Sequence, residues 1–282
     1  MSGRLREIAR RTEEIVAAGG YRTPGGRAVD IAAAVEAARR GTRLFGPDPV
    51  PLPEPAPEPA DTVFEVTGES SLEAARRLPG PVAVLNFASA RNPGGGYLNG
   101  AQAQEEALCR ASALYTCLLQ APEYYDHHRA HRDPFYTDRV IHSPAVPVFR
   151  DDRGGLLEEP YTAGFLTSPA PNAGVVLRAA PDRAGELPAA LASRAGRVLE
   201  TAAAHGYRRL VLGAWGCGVF RNDPARVAGA FRALLTDGGR FAGRFERVVF
   251  AVLDRTRGAT TRTAFERAFP EAGEGRARPS GR

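Results

Sequence analysis

The sequence predicts an α/β fold, a largely parallel sheet sandwiched between helices. From residue 61 onward, strand-type alternation and helix-type periodicity take turns. One run, VAVLNFA at 82–88, is almost wholly apolar, as a strand covered on both faces must be. Glycine-rich turns at 94–96 and 216–218 follow apolar strands and lead towards helices, at the strand ends where such sheets bind ligands.

The elements follow in order. Leu5, Ile8, Thr12, Ile15 and Val16 form a helical stripe over 4–18, and Asp30 opens an Ala-rich helix ending near Arg39-Arg40-Gly41. PDPVPLPEPAPEP (47–59) has proline at every second position, which excludes helix and central strand and predicts an extended strap. Residues 62–67 alternate like a strand, SSLEAARRL (70–78) reads as a capped helix, and the buried strand 82–88 comes next. A helix is expected from about Gln104 to Gln120, then an irregular stretch that includes DHHRAH (126–131). Strands at 139–149, 163–169, 209–215 and 247–254 are interleaved with helices at 186–206, 223–237 and 263–269. The expected division is a helical extension and strap over 1–60, a catalytic domain over 61–270 and a disordered tail over 271–282.

Composition excludes several functions. The 282 residues, 43% hydrophobic and 24% charged, suffice for their own core. No apolar run approaches the ~18 residues of a membrane span, and the N-terminus lacks the apolar centre of a secretory signal. A soluble, cytoplasmic, monomeric protein is expected. The net charge is +5, yet all 37 basic residues are arginine. Arginine without lysine, beside abundant Ala, Gly and Pro, reflects a coding bias more than a nucleic-acid surface, so no direct DNA binding is predicted. The missing lysine excludes a P-loop and a lysine Schiff base. Of three cysteines, Cys109 and Cys117 stand eight apart on the expected helix, about 12 Å, too far to pair.

Three loops carry candidate chemistry. The first runs from Asn86 through Asn92 and Gly94-Gly95-Gly96 to Gln104-Glu105-Glu106. Consecutive glycines admit positive φ and a close ligand, and amides near a helix start attract phosphate; Asn-Pro-Gly-Gly is also ordinary turn chemistry. The second, Trp215-Gly216-Cys217-Gly218-Val219-Phe220, again separates strand from helix with glycines. The two could grip a diphosphate from opposite sides. The third, 254–262 with Thr261, is polar enough for ribose or phosphate. Glu105 and Glu106 suit helix capping, but a neighbouring diphosphate and a second carboxylate would both raise a glutamate's pKa towards general-acid use. Adjacent helical residues point about 100° apart, so one of the pair faces a given bond and the other orients substrate. His127 and His131 have metal-compatible spacing without a third ligand, so no metal is expected. Cys217 has no histidine nearby in sequence to activate it.

Gly94-Gly95-Gly96, seven residues, then Gln104-Glu105-Glu106 resembles the signature of poly(ADP-ribose) glycohydrolases, and the length resembles the bacterial type. Gly216 to Phe220 is similar to that family's diphosphate loop. The resemblance covers about 62–270, with the N-terminal helices similar to the extension of bacterial members. It implies a macrodomain-like mixed sheet with ADP-ribose in a cleft at one edge. It implies Glu106 as the catalytic acid and then base, and Glu105 as a ribose ligand. Asn92, Gly94 to Gly96, Gln104, Gly216, Gly218, Val219, Phe220 and Thr261 are the implied substrate-binding residues. Poly(ADP-ribose) or ADP-ribosylated proteins are the implied partners, with no cofactor. The alternatives are a non-catalytic ADP-ribose reader, a hydrolase of mono-ADP-ribosylated targets, and a Rossmann-type domain, whose GxGxxG is missing.

Overall fold

The computed structural model describes residues 2–54, 60–236 and 238–270. The apolar stripe near the N-terminus becomes α1 (Ser2–Ala18). A hairpin follows, β1 (Gly20–Arg22) with β2 (Ala28–Asp30), too short for an alternating pattern to register in the sequence. Asp30 Oδ1 accepts the Ala32 N–H at 2.8 Å, opening α2 (Ala32–Gly41), and β3 (Arg43–Phe45) comes next.

After the strap come β4 (Val63–Thr67) and α3 (Ser71–Arg77). Ser70 and Glu73 cap α3 reciprocally, at 3.1 and 3.0 Å, as the SSLE motif predicts. The chain continues through β5 (Val82–Phe87), α4 (Gln104–Ala111), α5 (Leu114–Leu118), α6 (Pro122–Ala130), β6 (Val140–Arg150) and β7 (Leu156–Ser168). It closes with α7 (Ala173–Ala179), α8 (Leu187–Ala204), β8 (Arg209–Gly213), α9 (Pro224–Leu235), β9 (Arg247–Ala251) and α10 (Thr260–Ala268).

Seven strands form one mixed sheet in the order β3-β6-β7-β5-β8-β9-β4. The pairs from β7 through to β4 are parallel; β3–β6 and β6–β7 are antiparallel. Central β5 explains the apolar run: Val82 and Val84 enter one core, while Ala83 and Leu85 enter the core on the other face. Both faces are therefore covered by helices, as period-two exposure of a parallel strand to two apolar layers requires.

Two expectations need correction. The single helix over 104–120 is two helices, because Ser112 is extended (φ −144°, ψ 176°) and bridges Val148 of β6. The stretch around DHHRAH is helical, not irregular. Pro122 starts α6, and Tyr124 and His128, one turn apart, are buried beneath it.

The strap is pinned to α8. Arg197 donates to the carbonyls of Pro47 and Asp48, and the Val50 N–H donates to Glu200 at 3.3 Å. Its residues 55–59 and the tail 271–282 lie outside the described residues. The N-terminal segment is built into the same body: β3 is an edge strand of the sheet, and Ala9 of α1 shares a core with Tyr97 and Leu108. Among the described residues no helix is long and apolar enough to cross a membrane.

Candidate active site

Parallel pairing aligns the carboxyl ends of the strands. Thr67, Ala251 and Gly213 stand in one register row, and Phe87 pairs with Ser168. The loop after β5 thus emerges beside the loop after β8, and the first of them leads into α4.

Asn86 is the polar interruption in the apolar strand, and it is fully buried. Its Nδ2 donates to Thr167 Oγ1 at 3.1 Å and to Glu105 Oε1 at 3.2 Å. The Ser89 N–H donates to Glu105 Oε2 at 2.7 Å. Only 2% of Glu105 is exposed, and no cation pairs with it among the described residues. Burial pushes its carboxyl up to about 8, against the pull of the Ser89 and Asn86 hydrogen bonds and with the help of the Glu106 charge. Glu105 is therefore neutral at pH 7.

Glu106 is held differently. Its Oε1 accepts the Gly96 N–H at 2.9 Å, and its Oε2 accepts the Ala103 N–H at 3.1 Å, closing the first turn of α4 on itself. It is 7% exposed, the more accessible of the two.

The glycine triplet fits around these carboxylates. Gly94 and Gly95 are left-handed, with φ of 65° and 59°. A Cβ on Gly95 would stand 2.6 Å from Glu106 Oε1 and 3.2 Å from Glu105 Oε2. The Gly95 N–H turns inward to Asn92 O at 2.9 Å, and that of Gly96 to Glu106. The amides of Gly95 and Gly96 are thus engaged within the protein; their expected place on phosphate is replaced by a cradle for the glutamates. Asn92 is exposed at the head of this loop.

Free amides lie in the other loop. The N–H groups of Gly218, Val219 and Phe220 have no partner among the described residues, and Val219 is 83% exposed. Three unpartnered amides in succession leave this loop with free donors. Asn222 closes its base through Gly216 O and Pro171 O, at 3.2 and 2.8 Å. Gly216 (φ 70°) is required by packing, since a Cβ there would meet Ala170 and Asn222 at 2.5 and 2.6 Å.

The third loop is occupied by the protein's own anion. Asp254 Oδ2 accepts the N–H of Thr261 at 2.9 Å, so the start of α10 is already capped. Hydrogen bonds from Thr256 hold Asp254 down to about 2. Thr261, expected in a binding loop, sits in the first turn of α10, with its amide spent.

Residues 9–151 match the model of the microbial-type PARG catalytic domain. The fold matches poly(ADP-ribose) glycohydrolase from Thermomonospora curvata with a TM-score of 0.87 and 50% identity, over 95% of this chain and 100% of that one. The chain belongs to the poly(ADP-ribose) glycohydrolase family. The enzyme from Deinococcus radiodurans, in complex with ADP-ribose, matches with a TM-score of 0.77 and 45% identity, over 90% of this chain and 100% of that one. No curated sequence matches.

Within this glycohydrolase, the structure redistributes some expected roles. Gln104, expected on substrate, is spent on the scaffold: its Oε1 accepts the Phe87 N–H at 2.9 Å, and its Nε2 donates to Leu85 O at 2.7 Å and Ser71 Oγ at 3.1 Å. It bolts α4 to the end of β5. Asn86, Ser89 and Tyr97 escaped the sequence reading. A lone Asn in the run VLNFA was the signal for the first. Tyr97, directly after the glycines, reaches Glu13 Oε1 at 2.9 Å and Ala9 O at 3.2 Å, bracing the loop on α1. His128 is structural, its ring nitrogens on Tyr124 O and Thr137 Oγ1, each at 2.8 Å. Burial pushes the Cys217 thiol up to about 12, far from a thiolate nucleophile.

Proposed function

We propose that the chain hydrolyses the ribose–ribose O-glycosidic bonds of poly(ADP-ribose) to release ADP-ribose, with Glu106 as the proton-moving residue. The observation that carries this is the juxtaposition at one end of the sheet: two buried glutamates with no ion-pair partner among the described residues, beside a loop of three amides unpartnered among them. Solved relatives bound to ADP-ribose and to the inhibitor ADP-HPD support an ADP-ribose unit as the occupant.

The geometry divides the labour. Gly218, Val219 and Phe220 receive the diphosphate on their amides. Neutral Glu105 leaves the site one negative charge fewer, so the diphosphate does not face two carboxylates, and its O–H orients a ribose oxygen. Glu106, nearer the opening, protonates the departing ribose oxygen as the glycosidic bond breaks. The carboxylate so formed then takes a proton from the water that attacks the sugar's anomeric carbon. Neighbouring glutamates on one helical turn cannot stand on opposite sides of a bond, so one carboxyl acting twice fits better than the usual pair some 5 Å or more apart.

The test is to incubate purified poly(ADP-ribose) with wild type and Glu106→Gln and follow free ADP-ribose by chromatography. Release by wild type and its loss in the variant, with ADP-ribose binding retained, is expected. Equal release by both would remove Glu106 from the chemistry; binding without release by either would make the protein a reader. Release only from mono-ADP-ribosylated protein would move the substrate to that class.

A further inference from the structure

The DHHRAH motif on α6 lies outside the cleft's chemistry but is tied to it. Arg129 Nη1 donates to the Arg91 carbonyl at 2.8 Å, and Arg91 Nε donates to the His128 carbonyl at 3.3 Å. These bonds fasten α6 to the segment just before Asn92. Two residues before Arg91, the Ser89 N–H holds Glu105. Tyr136, beyond the end of α6, has its ring 5.8 Å from that of His128 and 5.8 Å from that of Phe220. The helix therefore flanks the cleft where the glutamates stand, with Tyr136 joining it to the loop of free amides.

Charge on this flank is unbalanced. Its carboxylates are already taken: exposed Asp126 by Arg129 at 2.7 Å, exposed Asp133 by Arg183 at 3.2 Å, and half-buried Asp138 by Arg194 at 3.1 Å. Glu123 lies in the first turn of α6, away from the motif. Arg91, Arg132 and Arg139 have no carboxylate partner among the described residues. The rings of His127 and His131 stack at 4.2 Å between them, and the Arg139 charge is felt at His127.

We propose that this α6 flank binds the diphosphate of the ADP-ribose unit adjoining the one being cleaved. The inference rests on the glycohydrolase reading above. With a terminal unit in the cleft, the rest of the polymer leaves past the glutamates, and its next diphosphate emerges beside arginines that have no carboxylate partner among the described residues. Guanidinium forks suit phosphate oxygens, and the exposed imidazole of His131, stacked on half-buried His127, offers a flat face to a base. The enzyme thus grips the chain on both sides of the scissile bond.

The experiment uses the full chain carrying Glu106→Gln, so that polymer survives, with and without Arg132→Glu/Arg139→Glu. Dissociation constants are measured for fractionated long poly(ADP-ribose) and for ADP-ribose over a salt series. The double reversal should weaken polymer binding about tenfold at low salt and flatten the slope of log Kd against log salt by about 1.4, two phosphates' worth. The ADP-ribose constant should stay unchanged, which also reports an intact fold. An unchanged polymer constant and slope would overturn the proposal, as would an equal loss for ADP-ribose. Single-stranded DNA competing as well as polymer would overturn it too, assigning the flank to nucleic acid. Failure of the active wild type to release ADP-ribose from polymer would sink the function itself, whereas normal release with an unchanged slope would sink only this surface.

Discussion

Glu105 and Glu200 are both glutamates on helices, both 2% exposed, yet the protein treats them in opposite ways. Glu200 on α8 meets Arg197 at 2.6 Å, a second arginine, Arg240, and the Val50 N–H of the strap. Glu105 on α4 meets neutral donors, Asn86 and the backbone of Ser89 and Gly94. A carboxylate buried with arginines ties separate parts of the chain together. One buried without a cation is pushed towards its neutral form, which suits Glu105 to orient a ribose hydroxyl while its neighbour Glu106 moves the proton. The difference teaches that burial alone does not mark a site; burial without a counter-charge does.

Five substitutions would break or sharpen this contrast. Glu106→Gln should lower ADP-ribose release about 10²–10⁴-fold, the usual worth of a positioned general acid and base, with ADP-ribose affinity preserved by calorimetry. On the structural side, Arg197→Met should cost about 3 kcal/mol in denaturant unfolding, because it takes from buried Glu200 its more buried arginine and from the strap the donor to Pro47 O and Asp48 O, while turnover per folded molecule is unchanged. A loss of turnover there would erase the distinction between the two glutamates.

Gly95→Ala forces a left-handed alanine, about 1–2 kcal/mol, and drives its Cβ into Glu106. Turnover should fall about tenfold while ADP-ribose affinity changes little, because the methyl meets the carboxylates and the diphosphate is held by the other loop. An affinity loss larger than the turnover loss would return the triplet to phosphate binding.

The smallest effect is a matter of pH. The folded state raises the Glu105 carboxyl from its ordinary 4.5 to about 8. Neutral in the fold and ionised in the unfolded chain between those values, it gives stability that is full below about 4.5 and lost as pH rises through about 8. Glu105→Gln should remove that decline and leave the melting temperature on the order of 2–4 °C higher than wild type at pH 8. The same substitution at Glu200 should instead lower the melting temperature at pH 7, because it takes the carboxylate from Arg197 and Arg240. Parallel curves for Glu105→Gln and wild type would show that Glu105 is ionised in the fold.

Much of this was legible in the chain. The apolar run VLNFA announced a central strand, because a parallel strand must satisfy two cores at once, and Val82 and Ala83 duly point into different ones. SSLE announced its own cap, since Ser70 and Glu73 need only each other. The break at Ser112 was not legible, because it depends on Val148, 36 positions further along the chain. Nor was α6, whose buried Tyr124 and His128 find their surroundings only in the assembled core.

At the site the same line divides local from distant causes. By itself the sequence determined that glycines and glutamates share one segment, with a helix start between an apolar strand and the pair, because strand, turn and cap are set by near neighbours. The tertiary structure decided what each of them does. It placed Asn86 and Ser89 around Glu105, spent Gln104 on the end of β5, wrapped Gly95 around Glu106 and left the free amides to Gly218, Val219 and Phe220. Charge state follows from burial and from which partners arrive, and neither is a property of a residue and its neighbours in the chain.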